Sequence, residues 1–161
     1  MKNFHILFLL GVLLLSACAP TATPIPQVPQ PTIEPTKPPS QPPDGAYSVT
    51  ITTEELKSQG WGDEFLVCEN AGTLTLTAAG DKWSISQIAA PGCTLQNATL
   101  GGTWKFSGDQ VKFHDDNPFG CGGDYTYKWV INGTNLSFTS VDDKDCPPRV
   151  YFMSKHPWVK K

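Results

Sequence analysis

His114-Asp115-Asp116 is the one place in this 161-residue chain where an imidazole and carboxylates stand together. Such a triplet has the parts of a general base or a weak metal site. No serine or free cysteine stands at a recognisable nucleophile spacing from it, so it reads as a solvated strand-end histidine beside loop acids. Asp142-Asp143-Lys144-Asp145 is the other acidic run. It lacks the glycine and the distal glutamate of a calcium loop. Asp145 is placed to cap a single turn through Pro147, with the other acids solvated. No catalytic residue, metal-ligand set or cofactor is therefore expected, and the chain reads as a non-enzyme. The net charge is −3, and residues 45–161 hold ten Lys/Arg against thirteen Asp/Glu. That balance argues against a nucleic-acid partner, which usually calls for a basic stripe.

Five cysteines carry the more legible chemistry: Cys18, Cys68, Cys93, Cys121 and Cys146. Ahead of the first lies a secretory-type start. Lys2 is positive, and Phe4 to Leu15 is apolar apart from His5 and Gly11. That run is too short for a bilayer core, which needs ~20 residues. Leu15-Ser16-Ala17-Cys18 resembles the bacterial lipobox. The resemblance implies removal of residues 1–17 and a diacylglyceryl group on the Cys18 thiol. The protein would then be lipid-anchored in the bacterial cell envelope, facing the periplasm or the exterior. Four cysteines remain, an even number in an oxidising compartment. No C-x₂-C or H-x₃-H spacing favours zinc. Of the three possible pairings, Cys68 with Cys93 and Cys121 with Cys146 are expected, because each closes a span of 25 positions within its own half. Each bridge is worth roughly 3 kcal/mol in the chain-entropy account.

Residues 18–44 hold ten of the fifteen prolines. From Ala19 to Asp44 the text is Pro, Thr, Gln and Ser, which cannot bury enough surface to offset chain entropy. It reads as a disordered, semi-stiff stalk reaching at most roughly 80 Å. Pro35 and Pro38 form a P-x-x-P, but a spacer accounts for the composition better than a peptide ligand does. Residues 45–161 are then enough for one domain. The two N-x-T triplets at Asn97 and Asn132 are incidental in a bacterial lipoprotein.

The elements that must position these residues are strands. Tyr47, Val49 and Ile51 alternate with polar residues, as do Leu74 and Leu76, Trp83 and Ile85, Trp104 and Phe106, and Val111 and Phe113. Tyr125, Tyr127, Trp129 and Ile131 make the longest alternating run, Leu136 and Phe138 follow, and a last strand is expected over Val150–Met153. Turns are expected at Gly80-Asp81, Gly108-Asp109 and Asn132-Gly133. Thr52 to Glu55 offers a capping box in which Glu55 reaches back, opening a short helix that ends at Gly60. Phe65 to Val67 forms either a second short helix or an irregular lid. The fold class is all-β: an antiparallel meander of seven or eight strands closing into a barrel, with one or two short helices near 53–68. The longest loops, 88–101 and 115–124, each hold a cysteine.

Gly45-Ala46-Tyr47, Thr53-Glu54-Glu55-Leu56, Gly102 to Asp109, Tyr127-Lys128-Trp129 and Asp145 to Arg149 come in an order that resembles the small lipocalin-like (calycin) domains of exported bacterial proteins. The resemblance covers nearly all of 45–161. It implies a cup-shaped barrel whose closed end joins an opening aromatic, here Tyr47 in place of tryptophan, to a late arginine, here Arg149. Arg149 is the only arginine in the chain. Its guanidinium is expected to stack on Tyr47 or Trp158 and to donate to nearby carbonyls. Trp83, Trp104, Tyr127 and Trp129 either line a pocket or fill the barrel. Two functions follow. One is a tethered monomer holding a small apolar or amphipathic ligand in the barrel. The other is a protein-interaction module, as in a protease-inhibitor-like barrel, acting through its rim loops.

Overall fold

The structure is a computed structural model and describes residues 39–94, 99–117, 121–143 and 145–161. The expected signal peptide, Cys18, the expected stalk as far as residue 38, and Asn97 lie outside those residues. Eight strands form a closed antiparallel meander. They are β1 Gly45–Ile51, β2 Gly72–Ala79, β3 Lys82–Ala89, β4 Leu100–Ser107, β5 Gln110–Asp115, β6 Gly123–Asn132, β7 Asn135–Ser140 and β8 Trp158–Lys160. Each pairs with its neighbour in sequence, and β8 returns to β1 through Tyr47 and Ser48. The period of two explains why these segments are strands with one dry face. Along β2, Leu74 and Leu76 are buried while Thr73 and Thr75 between and beside them are not. Along β5, Val111 and Phe113 point inward and Lys112 and His114 outward.

Among the described residues three short helices interrupt the meander: α1 Thr53–Ser58, α2 Glu64–Asn70 and α3 Pro147–Ser154. Thr52 caps α1 through its hydroxyl, 3.0 Å from the Glu55 N–H. Asp63 caps α2 by accepting from the N–H groups of Phe65 and Leu66. The strand expected over Val150–Met153 is instead part of α3, and the closing strand is Trp158–Lys160. Pro147 and Pro148 occupy the first helical turn, where a missing N–H costs nothing. Arg149, Phe152 and Met153 then recur at helical spacing and are buried together. Nor does Asp145 cap this helix. Cys146 holds that position without a side-chain bond.

Because the strands alternate in direction, the connections sort to two ends. The turn end has three two-residue loops, Gly80-Asp81, Gly108-Asp109 and Gly133-Thr134, the last one residue later than expected. Each loop is tied to the strand beyond its own hairpin. The Asp81, Asp109 and Thr134 carbonyls accept from the N–H groups of Trp104, Trp129 and Lys160 at 2.8–2.9 Å. The indoles of Trp104 and Trp129 repeat the tie, donating to the carbonyls of Gly80 and Gly108 at 2.8 and 3.2 Å. The segment just ahead of β1 joins here as well. Pro42 is fully buried, the Tyr47 hydroxyl donates to the Pro43 carbonyl at 2.7 Å, and Asp44 accepts from Gly80 N–H at 2.9 Å. The rim end carries everything longer: α1 and α2 between β1 and β2, the β3–β4 and β5–β6 loops, and α3 before β8.

Candidate functional site

Two disulfides organise the rim. Cys68 of α2 is bonded to Cys93 of the β3–β4 loop, and Cys121 of the β5–β6 loop to Cys146 at the start of α3. Both pairings are those expected from the spacing, and each ties a helix to a loop that no ladder holds.

Beside the second bridge, α3 turns Arg149 inward. Its Nε and Nη2 donate to the two oxygens of Asp143 at 2.7 and 2.5 Å, and Nη1 donates to the Cys121 carbonyl. The guanidinium carbon lies 3.5 Å from the centroid of the Tyr125 ring. Asp143 also accepts from the Tyr127 hydroxyl at 2.5 Å. Asp115 stands 3.7 Å from Nη1 and accepts from the Asn117 N–H at 3.0 Å. The side chains of Arg149, Asp143 and Asp115 are 9%, 2% and 4% exposed, so one cation and two carboxylates share a dry site. Burial pushes the Asp115 carboxyl above its ordinary range, although Asn117 and the Arg149 charge pull the other way. Burial also pushes the Tyr125 and Tyr127 hydroxyls upward, which suits Tyr127 as the donor to Asp143. A bidentate arginine with its ring and carbonyl fixed is a clamp. It locks the β5–β6 loop, the end of β7 and α3 to one another.

These contacts revise several expectations. Arg149 donates to a carbonyl as expected, but it stacks on Tyr125, not on Tyr47 or Trp158. Tyr47 and Arg149 do not meet: Tyr47 belongs to the turn end, where Lys160 lies over its ring at 5.8 Å, and the acids that attract a guanidinium are at the rim. Asp143, expected in solvent, is buried. Asp115 is buried too, as the third inward position of β5 after Val111 and Phe113.

A second cluster joins α1 to the far end of α3. Glu55 does not reach back to its helix cap. Its Oε1 instead accepts from the Tyr151 hydroxyl and from His156 Nε2, both at 2.6 Å. Partial burial opposes its ionisation, but these bonds and the nearby charges of His156 and Lys155 hold its carboxyl below the ordinary range. Trp61 packs on Tyr151 with ring centroids 5.7 Å apart. His114 sits outside the wall, as expected. Its Nδ1 is 2.7 Å from Asp124 and its Nε2 3.6 Å from Asp116, and the bond to Asp124 raises its pKa. Lys112 shares Asp124 at 2.7 Å. Among the described residues no group of three or more His, Cys, Asp or Glu side chains is arranged to hold a metal ion.

The four aromatics proposed as a pocket lining, Trp83, Trp104, Tyr127 and Trp129, are all buried. Three of them gather around Phe113, whose ring lies 5.2–6.0 Å from those of Trp83, Trp104, Tyr125, Tyr127 and Phe138. Trp129 joins through Phe106, at 5.3 Å, and Phe106 touches Trp104 at 5.0 Å. Rings at these separations, most of them edge-to-face and Phe113 stacked on Tyr125, are in contact, so side chains occupy this half of the barrel interior. Two depressions, of about 340 and 450 Å³, are lined largely by residues of the outer wall: Thr77, Lys82, Ser84 and Thr103 in the first, Lys105, Lys112, His114 and Asp124 in the second. Comparison with protein-family models, with curated proteins and with solved structures finds no match for this chain.

Proposed function

We propose that this protein is a lipid-anchored module of the bacterial cell envelope that binds another protein through the rim end of its barrel. The observation that carries the reading is the separation of tether and rim. Pro42, Pro43 and Asp44 dock at the turn end, so the chain enters the barrel at the end opposite the disulfide-braced loops. A lipid on Cys18 would then leave the rim as the end presented outward. The filled interior around Phe113 favours surface recognition over a ligand held in the barrel. The acids and histidines serve as clamps and ion pairs, which fits binding better than catalysis. Among the described residues no helix is long and apolar enough to cross a membrane, and anchoring rests on the lipobox resemblance alone.

The test places photo-crosslinking residues in the full-length protein in its own cells, at Asp116 and Val141 for the rim and at Asp109 and Gly133 for the turn end. Adducts from the rim positions are expected, and their loss from membranes on Cys18→Ser. Adducts from the turn end alone, or an apolar small molecule recovered stoichiometrically from purified protein, would overturn the reading.

A further inference from the structure

α2 has seven residues, and a helix that short is unstable alone. Three devices hold it: the Asp63 cap, the buried Val67 beneath it, and the Cys68–Cys93 bridge at its middle. Phe65-Leu66-Val67 are consecutive, so one helix cannot bury all three. Phe65 and Val67 lie two positions apart, about 200° around the axis. With Val67 inward, Phe65 is 69% exposed and Leu66 41%. The other exposed large apolar residues among those described, Ile88, Val130, Val141 and Val159, occur singly, as is ordinary on protein surfaces. Among the described residues Phe65 and Leu66 form the only adjacent pair.

The segment that carries this pair is rich in acids. Residues 53–70 hold five acids, Glu54, Glu55, Asp63, Glu64 and Glu69, against the single Lys57. Lys57 is engaged by Glu64 at 3.1 Å. An aromatic and a leucine on a pre-ordered helix lose little entropy when a partner covers them, and aromatic anchors dominate interface energetics. The acids around them choose the partner. A second copy of this chain carries the same acids, and a membrane rich in anionic headgroups repels them. A surface with an apolar pocket ringed by Lys or Arg complements both features.

We infer that the Phe65–Leu66 edge of α2 is the contact through which the rim grips a basic protein. The inference rests on the proposed rim function and narrows it to one helix and one partner chemistry. A photo-crosslinker at Phe65 in the full-length protein is compared with the rim positions Asp116 and Val141. The crosslinked protein is identified, purified and titrated against wild type, against the Phe65→Ser/Leu66→Ser variant and against the Glu54→Lys/Glu69→Lys variant. We expect an adduct at residue 65 and an affinity that weakens as salt is raised. The apolar variant should lose at least about tenfold in affinity, and the charge variant should lose affinity and respond less steeply to salt. Unchanged near-ultraviolet dichroism and intact bridges in both variants keep folding out of the comparison. Adducts from 116 and 141 with full affinity in the apolar variant would overturn this inference and leave the rim reading standing. Adducts from no rim position would remove both. An adduct with a second copy, or binding to phosphatidylethanolamine–phosphatidylglycerol vesicles that the apolar variant loses, would also overturn it.

Discussion

The two ends of the barrel solve the same problem, closing a sheet against water, by opposite means. The turn end uses two-residue loops whose orphan carbonyls are satisfied by the next hairpin's backbone and indole N–H groups. The ties there repeat one scheme, each loop bonded to the strand that follows its own hairpin. The rim end uses disulfides, a buried guanidinium and three short helices, each contact of a different kind, and one cluster joins residues far apart in sequence, Glu55 with Tyr151 and His156. Local chemistry suffices to close a hairpin. A rim that must present long loops needs crosslinks and charges to hold them in one conformation, and that cost makes sense if the loops have a task.

The sharpest way to break this comparison is Asp143→Ala. It strips Arg149 of its bidentate partner and Tyr127 of its acceptor in one step. Removing one member of a buried pair costs about 3–5 kcal/mol, measured as a drop in urea unfolding free energy. Arg149→Lys keeps the charge but not the fork, and should cost less than Asp143→Ala while still exceeding the cost of any exposed lysine change. Wild-type stability in either variant would mean that the rim is not held by its clamp.

Opening the second bridge with Cys121→Ser/Cys146→Ser should cost about 2–4 kcal/mol. It should also raise hydrogen exchange in the β5–β6 loop and α3 while the turn-end ladders stay protected. Uniform loss of protection would show that the ends are one cooperative unit, not two differently built regions. At the turn end, Trp104→Phe removes the indole donor to Gly80 but keeps a ring against Phe113. A single neutral hydrogen bond and some packing are worth about 1–2 kcal/mol, less than either rim change. A larger loss would reverse the ranking.

The same contrast sets what the sequence made legible. Thr-Leu alternation in β2, the Gly-Asp turns and the even cysteine spacing are signals within a few residues or a simple count, and they placed the strands, loops and bridges. Val150–Met153 misled because four apolar residues in a row look like strand until Pro147 and Pro148 are weighed as a helical first turn. The stack of Arg149 on Tyr125 was out of reach, since nothing local says which ring lies beneath a helix that crosses the rim. Asp115 was within reach. Extending the β5 period by one step from Phe113 puts it inside the barrel. The aromatic set was picked correctly as inward-facing, yet whether rings line or fill a barrel depends on how they interlock, which a pattern does not carry.

Asp115 gives the smallest expected effect and the one with a pH signature. Its carboxyl is raised in the folded state, chiefly by burial, from an ordinary value of about 3.9. The folded state therefore binds this proton more tightly than the unfolded chain does. Its favourable contribution is present below the unfolded value and is lost as pH rises through the folded one, so at neutral pH the buried charge opposes folding. Asp115→Asn keeps an oxygen to accept the Asn117 N–H and removes the charge. The variant should unfold at a slightly higher temperature than wild type at pH 7, with the gap shrinking as pH falls towards 4 and the wild-type carboxyl takes up its proton. A variant less stable than wild type at pH 7 would show that the pull of Arg149 at 3.7 Å outweighs the burial of the charge. Asp115 would then belong to the clamp as fully as Asp143.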